Sequence, residues 1–134
     1  MEVIRMTAFP YASLRVLYES VGWSTYLKDI ESFEAMFPAS LAVYGAYDDD
    51  RLIGIVRLVG DNAHILYIQD IIVNPEYQAR GVGKALMERV LFDFEHVRQK
   101  VLITDMDDSH VHTFYESIGF IRSTDKNIVC YVKF

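Results

Sequence analysis

The stretch Gln78-Ala79-Arg80-Gly81-Val82-Gly83-Lys84 decides the fold, because it joins an apolar run to an amphipathic one. The apolar run, 68–73, ends at the break Asn74-Pro75, and the amphipathic run continues over 85–92. A strand, a turn and a helix are therefore predicted in that order. The first N–H groups of a helix lack partners inside it and carry partial positive charge. Two glycines and two cations at this point predict a pocket for phosphate.

Two familiar phosphate-binding patterns do not fit this stretch. A P-loop needs a glycine five residues before its Gly-Lys pair and a Ser or Thr after the lysine. Those positions hold Gln78 and Ala85. A dinucleotide fingerprint needs a third glycine three residues after the second, and that position is Leu86. The pattern that stands is Gln-x-x-Gly-x-Gly behind a strand.

Length and composition predict one domain, 1–134, with a packed core, since 51% of the 134 residues are hydrophobic. No apolar run approaches the roughly 20 residues that span a membrane, and the N-terminus lacks a signal-peptide layout. A cytoplasmic protein without membrane contact is therefore expected.

The net charge of −6 and the lack of a basic tract predict no nucleic-acid partner. His110 and His112 are two residues apart, a spacing that predicts no metal site.

Periodicity predicts a strand and two helices in the first 40 residues. The strand covers 3–6, and apolar residues at helical spacing predict a helix over 11–20 that Gly22 ends. Apolar residues at steps of three and four predict a second helix over 26–37, which Pro38 stops.

Strands dominate the next segment. Runs at 41–47 and 52–59 form a hairpin around Asp48-Asp49-Asp50, and 64–73 is a third strand. The helix after the glycine loop reaches 94, and a strand at 101–104 follows it, which predicts a parallel βαβ unit. A helix over 110–117 and a final strand over 128–134 complete the chain. The class is α/β, with a mixed, mostly antiparallel sheet and helices on both faces.

Two motifs in this order carry a family resemblance. Gln78-x-x-Gly81-x-Gly83, ahead of Phe114-Tyr115-Glu116-Ser117-Ile118-Gly119-Phe120, resembles the GNAT family of acetyl-CoA-dependent N-acetyltransferases. Within that family the segment looks nearest to glucosamine-phosphate N-acetyltransferases and to small bacterial and plant amine acetyltransferases. The resemblance implies the GNAT fold, acetyl-CoA as co-substrate and a small-molecule primary amine as acceptor. It also implies direct attack by the amine, without an acetyl-enzyme.

The resemblance implies a set of residues for acetyl-CoA. The pyrophosphate would lie on loop N–H groups, and the pantetheine arm would pair with the strand before the loop. Asp108 stands where many members carry an asparagine that bonds pantetheine. An ionised aspartate accepts but does not donate, so helix N-capping is an alternative role. The implied residues are Ile71, Ile72, Val73, Gln78, Ala79, Arg80, Gly81, Val82, Gly83, Lys84, Asp108 and Tyr115.

The reaction needs an acid and a base. An alkylamine has a pKa of about 10 and must lose a proton before it attacks. Tyr115 stands where the family commonly has a tyrosine whose hydroxyl meets the CoA sulfur, which implies a general acid for the departing thiolate. Members of the glucosamine-phosphate type carry an acidic pair before the loop. Here Gln69 replaces the first of the pair, and Asp70 is the implied base, directly or through water, or else a carboxylate held by hydrogen bonds.

Other functions stay open. A protein N-terminal or lysine acetyltransferase is one, and a non-catalytic acetyl-CoA sensor, which Gln69 favours, is another. Trp23, Tyr26 and Phe33 are candidates for the wall of an acceptor pocket or for the core. Exchange of the final strand, or edge pairing, would give a homodimer.

Overall fold

The computed structural model describes all residues from Met1 to Phe134, which form two compact units, Met1–Ile103 and Thr104–Phe134. The prediction of a single domain stays a prediction. No helix combines the length and apolarity that a membrane span requires. The elements of the first unit are β1 (Glu2–Arg5), α1 (Tyr11–Ser20), α2 (Ile30–Ala39), β2 (Ala42–Asp48), β3 (Arg51–Gly60), β4 (Ile65–Val73), α3 (Val82–Asp93) and β5 (Gln99–Leu102). The second unit contains α4 (Ser109–Ser117).

One five-stranded sheet organises the first unit, in the order β1-β2-β3-β4-β5. The first three strand pairs are antiparallel, and β5 runs parallel to β4. Helix α3 makes the connection from β4 to β5, since a parallel pair needs a crossover. The predictions of an α/β class, a mixed, mostly antiparallel sheet and a βαβ unit are confirmed.

Helices cover both faces of the sheet, as predicted. Val43 and Ile55 pack in a core with residues of α1 and α2. Their neighbours Tyr44 and Gly54 meet α3 instead: the Tyr44 hydroxyl donates to Asp93 at 2.7 Å, and a Cβ at Gly54 would lie 3.0 Å from Val82. Since successive side chains of a strand point to opposite faces, α1 and α2 lie on one face and α3 on the other.

The predicted helix over 26–37 is wrong in its boundaries. A 3-10 turn covers Thr25–Lys28, and α2 begins only at Ile30. Asp29 separates the two, because its side chain caps α2 by accepting from the N–H of Ser32 at 3.2 Å. Pro38 lies inside the last turn of α2 and does not end the helix before it.

Two strand predictions toward the C-terminus also need correction. Strand β5 begins two residues earlier than predicted, because Gln99 and Lys100 pair with Ile65 and Leu66 despite their polarity. The predicted final strand, 128–134, is wrong, since these residues form no strand. The alternating pattern predicts an extended conformation but supplies no partner, and a strand exists only beside another. The apolar side chains left exposed are those of Ile128, Val129, Tyr131, Val132 and Phe134.

Candidate functional site

One edge of β4 is open over half its length. Strand β5 pairs with β4 only from Ile65 to Ile68, whereas β3 pairs with the opposite edge as far as Val73. Along 69–73 the main-chain groups on the β5 side therefore face no neighbouring strand. Such an edge can accept an extended ligand that pairs like an added strand. The predicted contacts Ile71, Ile72 and Val73 lie in this open stretch.

The turn that leaves β4 has an unusual backbone. Asn74 is buried and its side chain accepts from the N–H of Glu76 at 2.9 Å, which fixes the start of the turn. Ala79 and Gly81 both adopt left-handed conformations, with φ of 61° and 82°. Successive N–H groups in a turn that contains left-handed residues can form a concave site that binds anions. Ala79 adopts this conformation at a cost, because its Cβ disfavours it.

The first turn of α3 fits an anionic group. Gly81 is the N-cap residue, and no side chain caps the helix. A Cβ placed on Gly81 would meet nothing within 4 Å, so the space beside this backbone is open. The first N–H groups of α3, from Val82 to Lys84, point out of the helix without an intrahelical acceptor. The residues present therefore suit a phosphate.

Two cations flank this helix start. The guanidinium carbon of Arg80 lies 5.3 Å from the centroid of the Tyr77 ring, and no carboxylate pairs with it. The Lys84 ammonium lies 3.8 Å from Glu88, and both side chains are largely exposed. An exposed pair at that distance contributes little. Both cations are therefore available to an anion at the helix start, where the helix dipole alone would disfavour them.

Gln78 faces the strand side of the turn. Its side-chain amide donates to the carbonyl of Val73 at 3.5 Å, at the limit of a hydrogen bond. The contact joins the end of β4 to the loop. The predicted contact of Gln78 with acetyl-CoA stays a prediction.

Asp70 lies in a buried network that reaches across the sheet to α1. Its side chain is 1% exposed. One carboxylate oxygen accepts from Arg57 Nε and from the Tyr18 hydroxyl, at 2.6 and 2.8 Å. The other accepts from the Tyr26 hydroxyl at 2.7 Å. Three donors thus hold the Asp70 carboxylate. Asp70 lies in the open stretch of β4 and therefore belongs to the candidate site.

The ionisation of this network follows from its geometry. Burial alone would lower the pKa of Arg57, but the adjacent Asp70 carboxylate outweighs burial and raises that pKa. Burial and the contact with Asp70 raise the pKa of Tyr18 and of Tyr26. Both phenols therefore keep their protons at neutral pH, and each donates its proton to Asp70. An ion pair with two neutral donors is the arrangement that satisfies all four groups.

The three residues predicted for the wall of an acceptor pocket, Trp23, Tyr26 and Phe33, differ in burial. Phe33 is buried among the aromatic rings of the core, 5.2 Å from Tyr18 and 5.1 Å from Phe37. Trp23 is exposed, with its ring 6.2 Å from that of Tyr18. Tyr26 is half-buried. Its hydroxyl also receives a hydrogen bond of 3.3 Å from the exposed Gln69 amide.

The remaining predicted residues lie in the second unit. Asp108 caps α4, where one carboxylate oxygen accepts from the N–H groups of His110 and Val111 at 3.1 and 3.2 Å. This is the capping alternative, and a contact with pantetheine stays a prediction. Tyr115 packs against Phe114 and Phe120, and its hydroxyl makes no hydrogen bond to protein. Burial raises the pKa of Tyr115, so the phenol is protonated at neutral pH.

The partners of Asp70 were not predicted from the sequence. Arg57 is the one Asp, Glu, Lys or Arg residue in the predicted strand 52–59, and Asp70 is the one in the predicted strand 64–73. Two lone opposite charges in strands expected to be buried are a signal for a pair, because a buried charge needs a partner. Tyr18 gave no such signal, since its position on α1 fits an ordinary core residue.

Comparison with known proteins gives consistent matches. Residues 7–120 match the model of the Acetyltransferase (GNAT) family. A GNAT-family acetyltransferase from Streptococcus pneumoniae TIGR4 has a similar structure, with a TM-score of 0.89 and 30% identity, over 99% of this chain and 96% of that one.

Two curated relatives are longer than this chain. The uncharacterized N-acetyltransferase ycf52 of Porphyra purpurea is 30% identical over 118 residues, which cover 84% of this chain and 65% of the relative. The histone acetyltransferase TAP1 of Glycine max is 40% identical over 118 residues, covering 80% of this chain and 50% of the relative. The chain thus spans between half and two thirds of the length of these relatives.

Proposed function

Since the chain belongs to the Acetyltransferase (GNAT) family, we propose that it transfers the acetyl group of acetyl-CoA to a primary amine of a small molecule by direct attack. The observation that carries the proposal is the open edge of β4 directly before the uncapped start of α3. The edge suits the amides of pantetheine, and the helix start suits the pyrophosphate. The loop cations Arg80 and Lys84 supply the opposite charge.

Tyr115 is the proposed general acid. Its protonated hydroxyl has no protein partner and is therefore available to give its proton to a departing thiolate. Asp70 stays a predicted base, but its oxygens already accept from three donors. Direct proton abstraction by Asp70 would require one donor to move away, so a water molecule is the simpler proton acceptor. Asp70 then acts as the anchor of Tyr26.

A protein acceptor is the second candidate. The soybean relative named a histone acetyltransferase is 40% identical, which favours a protein acceptor over a sensor without turnover. Both proposed reactions use the same acetyl-CoA site. They differ in the acceptor, which is a small amine in one and an amine of a protein in the other.

A turnover screen tests the proposal. Purified protein and acetyl-CoA are incubated with arylalkylamines, polyamines, aminosugars and peptides, and the free thiol of CoA is measured. Thiol release with a small amine is the expected result. Release with peptides alone would favour the protein acceptor. Tight binding of acetyl-CoA without release from any acceptor would leave a sensor and overturn the proposed enzyme.

Gly81→Val is expected to weaken acetyl-CoA binding at least tenfold. The branched side chain would occupy the open space beside the first N–H groups of α3, where the phosphates are proposed to bind. Calorimetric titration with acetyl-CoA measures the effect.

Gly22→Val is the matched control for this change. Gly22 has a φ of 76°, and a Cβ at this position would meet no atom within 4 Å, so the strain of a valine is comparable. Gly22 lies just after the end of α1 and belongs to neither the loop nor α3. Equal affinity in Gly81→Val and wild type would contradict the loop assignment, and equal losses in both variants would assign the effect to strain.

A further inference from the structure

The Tyr26 hydroxyl has a fixed direction of hydrogen bonding. It donates to an Asp70 oxygen at 2.7 Å, and the Gln69 amide nitrogen lies 3.3 Å from it. A hydroxyl has one proton and two lone pairs. Because the proton is committed to Asp70, the phenolic oxygen can only accept from other groups. One lone pair takes the Gln69 amide, and the second is left for a further donor.

The buried network fixes Tyr26 as the donor in its hydrogen bond to Asp70. Asp70 is buried and paired with Arg57 at 2.6 Å, so the carboxylate stays an acceptor. Tyr26 therefore cannot reverse its role and accept from Asp70. Tyr18 makes the same donation to Asp70 but is fully buried, whereas Tyr26 is half-buried. Of the two tyrosines, only Tyr26 can offer its oxygen to a molecule that arrives from outside.

Gln69 gains a defined orientation from the same chain of bonds. The Tyr26 oxygen has no proton to give it, so the amide nitrogen must face Tyr26. The amide oxygen is then directed elsewhere, on an exposed side chain. Gln69 is the extra residue of β4 at the irregularity opposite Arg57 and Leu58, and it is the first residue of the open edge. Such irregularities re-aim side chains beside functional sites.

We propose that the Tyr26 hydroxyl oxygen and the Gln69 side-chain oxygen form the subsite that binds the N–H groups of the acceptor. Both oxygens accept: the only proton of the Tyr26 hydroxyl is donated to Asp70, and an amide oxygen carries no proton. An amine or ammonium group offers several N–H donors and satisfies both oxygens, whereas a hydroxyl offers one, and a carboxylate or carbonyl offers none. The subsite therefore selects primary amines over alcohols. This inference rests on the proposed function, because it assumes that acetyl transfer occurs at the open edge of β4.

The test is amine binding, measured by calorimetry with phenethylamine and spermidine in the presence of CoA, so that it needs no turnover. We expect Tyr26→Phe and Gln69→Leu each to weaken amine affinity about tenfold and to leave CoA affinity unchanged. Tyr18→Phe is the matched control, because it removes the same donor from Asp70 at a buried position. It should lower stability and leave amine affinity unchanged.

Kinetics supply the second readout. In an active wild type, Tyr26→Phe should raise KM for the amine and leave KM for acetyl-CoA unchanged. Unchanged amine affinity in Tyr26→Phe, an equal loss in Tyr18→Phe, or no binding of either amine to wild type would overturn the subsite. Amine binding that depends on Tyr26 without any thiol release would instead support the subsite and reject the proposed enzyme.

Discussion

Replacing Arg57 by methionine is expected to lower the free energy of unfolding by about 3–5 kcal/mol, a large part of the stability of a small protein. Methionine is unbranched and similar in length to arginine but carries no charge. The Asp70 side chain, 1% exposed, would then keep only two neutral donors, the hydroxyls of Tyr18 and Tyr26. A buried charge without its counter-charge carries a penalty that hydrogen bonds from hydroxyls do not offset. Urea denaturation at neutral pH measures the loss.

Two further variants separate the buried pair from a general effect of losing an arginine. Arg51 pairs with Glu76 at 2.9 Å on the surface, where the side chains are 53% and 68% exposed. Arg51→Met should therefore cost less than about 1 kcal/mol. Combining Arg57→Met with Asp70→Asn removes both charges and should recover more than half of the loss. Similar losses for Arg57→Met and Arg51→Met would contradict the account of Asp70 as a buried carboxylate.

Tyr115→Phe is expected to lower kcat about 100-fold and to leave acetyl-CoA affinity nearly unchanged, an effect within the range for loss of a general acid. The hydroxyl is free of protein partners, so its removal breaks no internal hydrogen bond. A phenol donates only while protonated, and burial raises the pKa of Tyr115. The fall of kcat at alkaline pH should therefore lie above the ordinary tyrosine value of about 10. Steady-state kinetics across pH measure both effects.

Tyr131→Phe is the control within the same unit. The Tyr131 side chain is 91% exposed, and its loss of a hydroxyl should change neither kcat nor stability. Wild-type kcat in Tyr115→Phe would remove Tyr115 from the mechanism. A parallel loss of acetyl-CoA affinity would instead indicate that Tyr115 binds the donor.

Local patterns predicted most of the fold. The apolar periods of α1, β3 and β4 are strong, and their bounds agree with the predictions to within two residues. The interruption before α2 was missed because the apolar period continues through Asp29, while the break depends on one capping side chain. The final strand was predicted from alternation alone, and alternation carries no information about a partner.

Residues of the candidate site were predictable only where they lie close together in the sequence. The glycine loop and Tyr115 each lie within a short motif. The network around Asp70 joins Tyr18, Tyr26 and Arg57, which are 52, 44 and 13 residues away. Their meeting depends on the register of β3 with β4 and on the packing of α1 over the sheet. A single sequence does not specify either with enough precision to choose these partners.

Along 69–73, β4 offers main-chain groups to an extended ligand, and main-chain pairing recognises amides. The amides of pantetheine are the same in acetyl, propionyl and longer acyl thioesters. If pantetheine pairs there as proposed, the open edge of β4 would hold every such donor equally and exert no preference for acyl length. That preference would then come from side chains near the acyl end, so substitutions there should change the choice of acyl donor and leave CoA affinity unchanged.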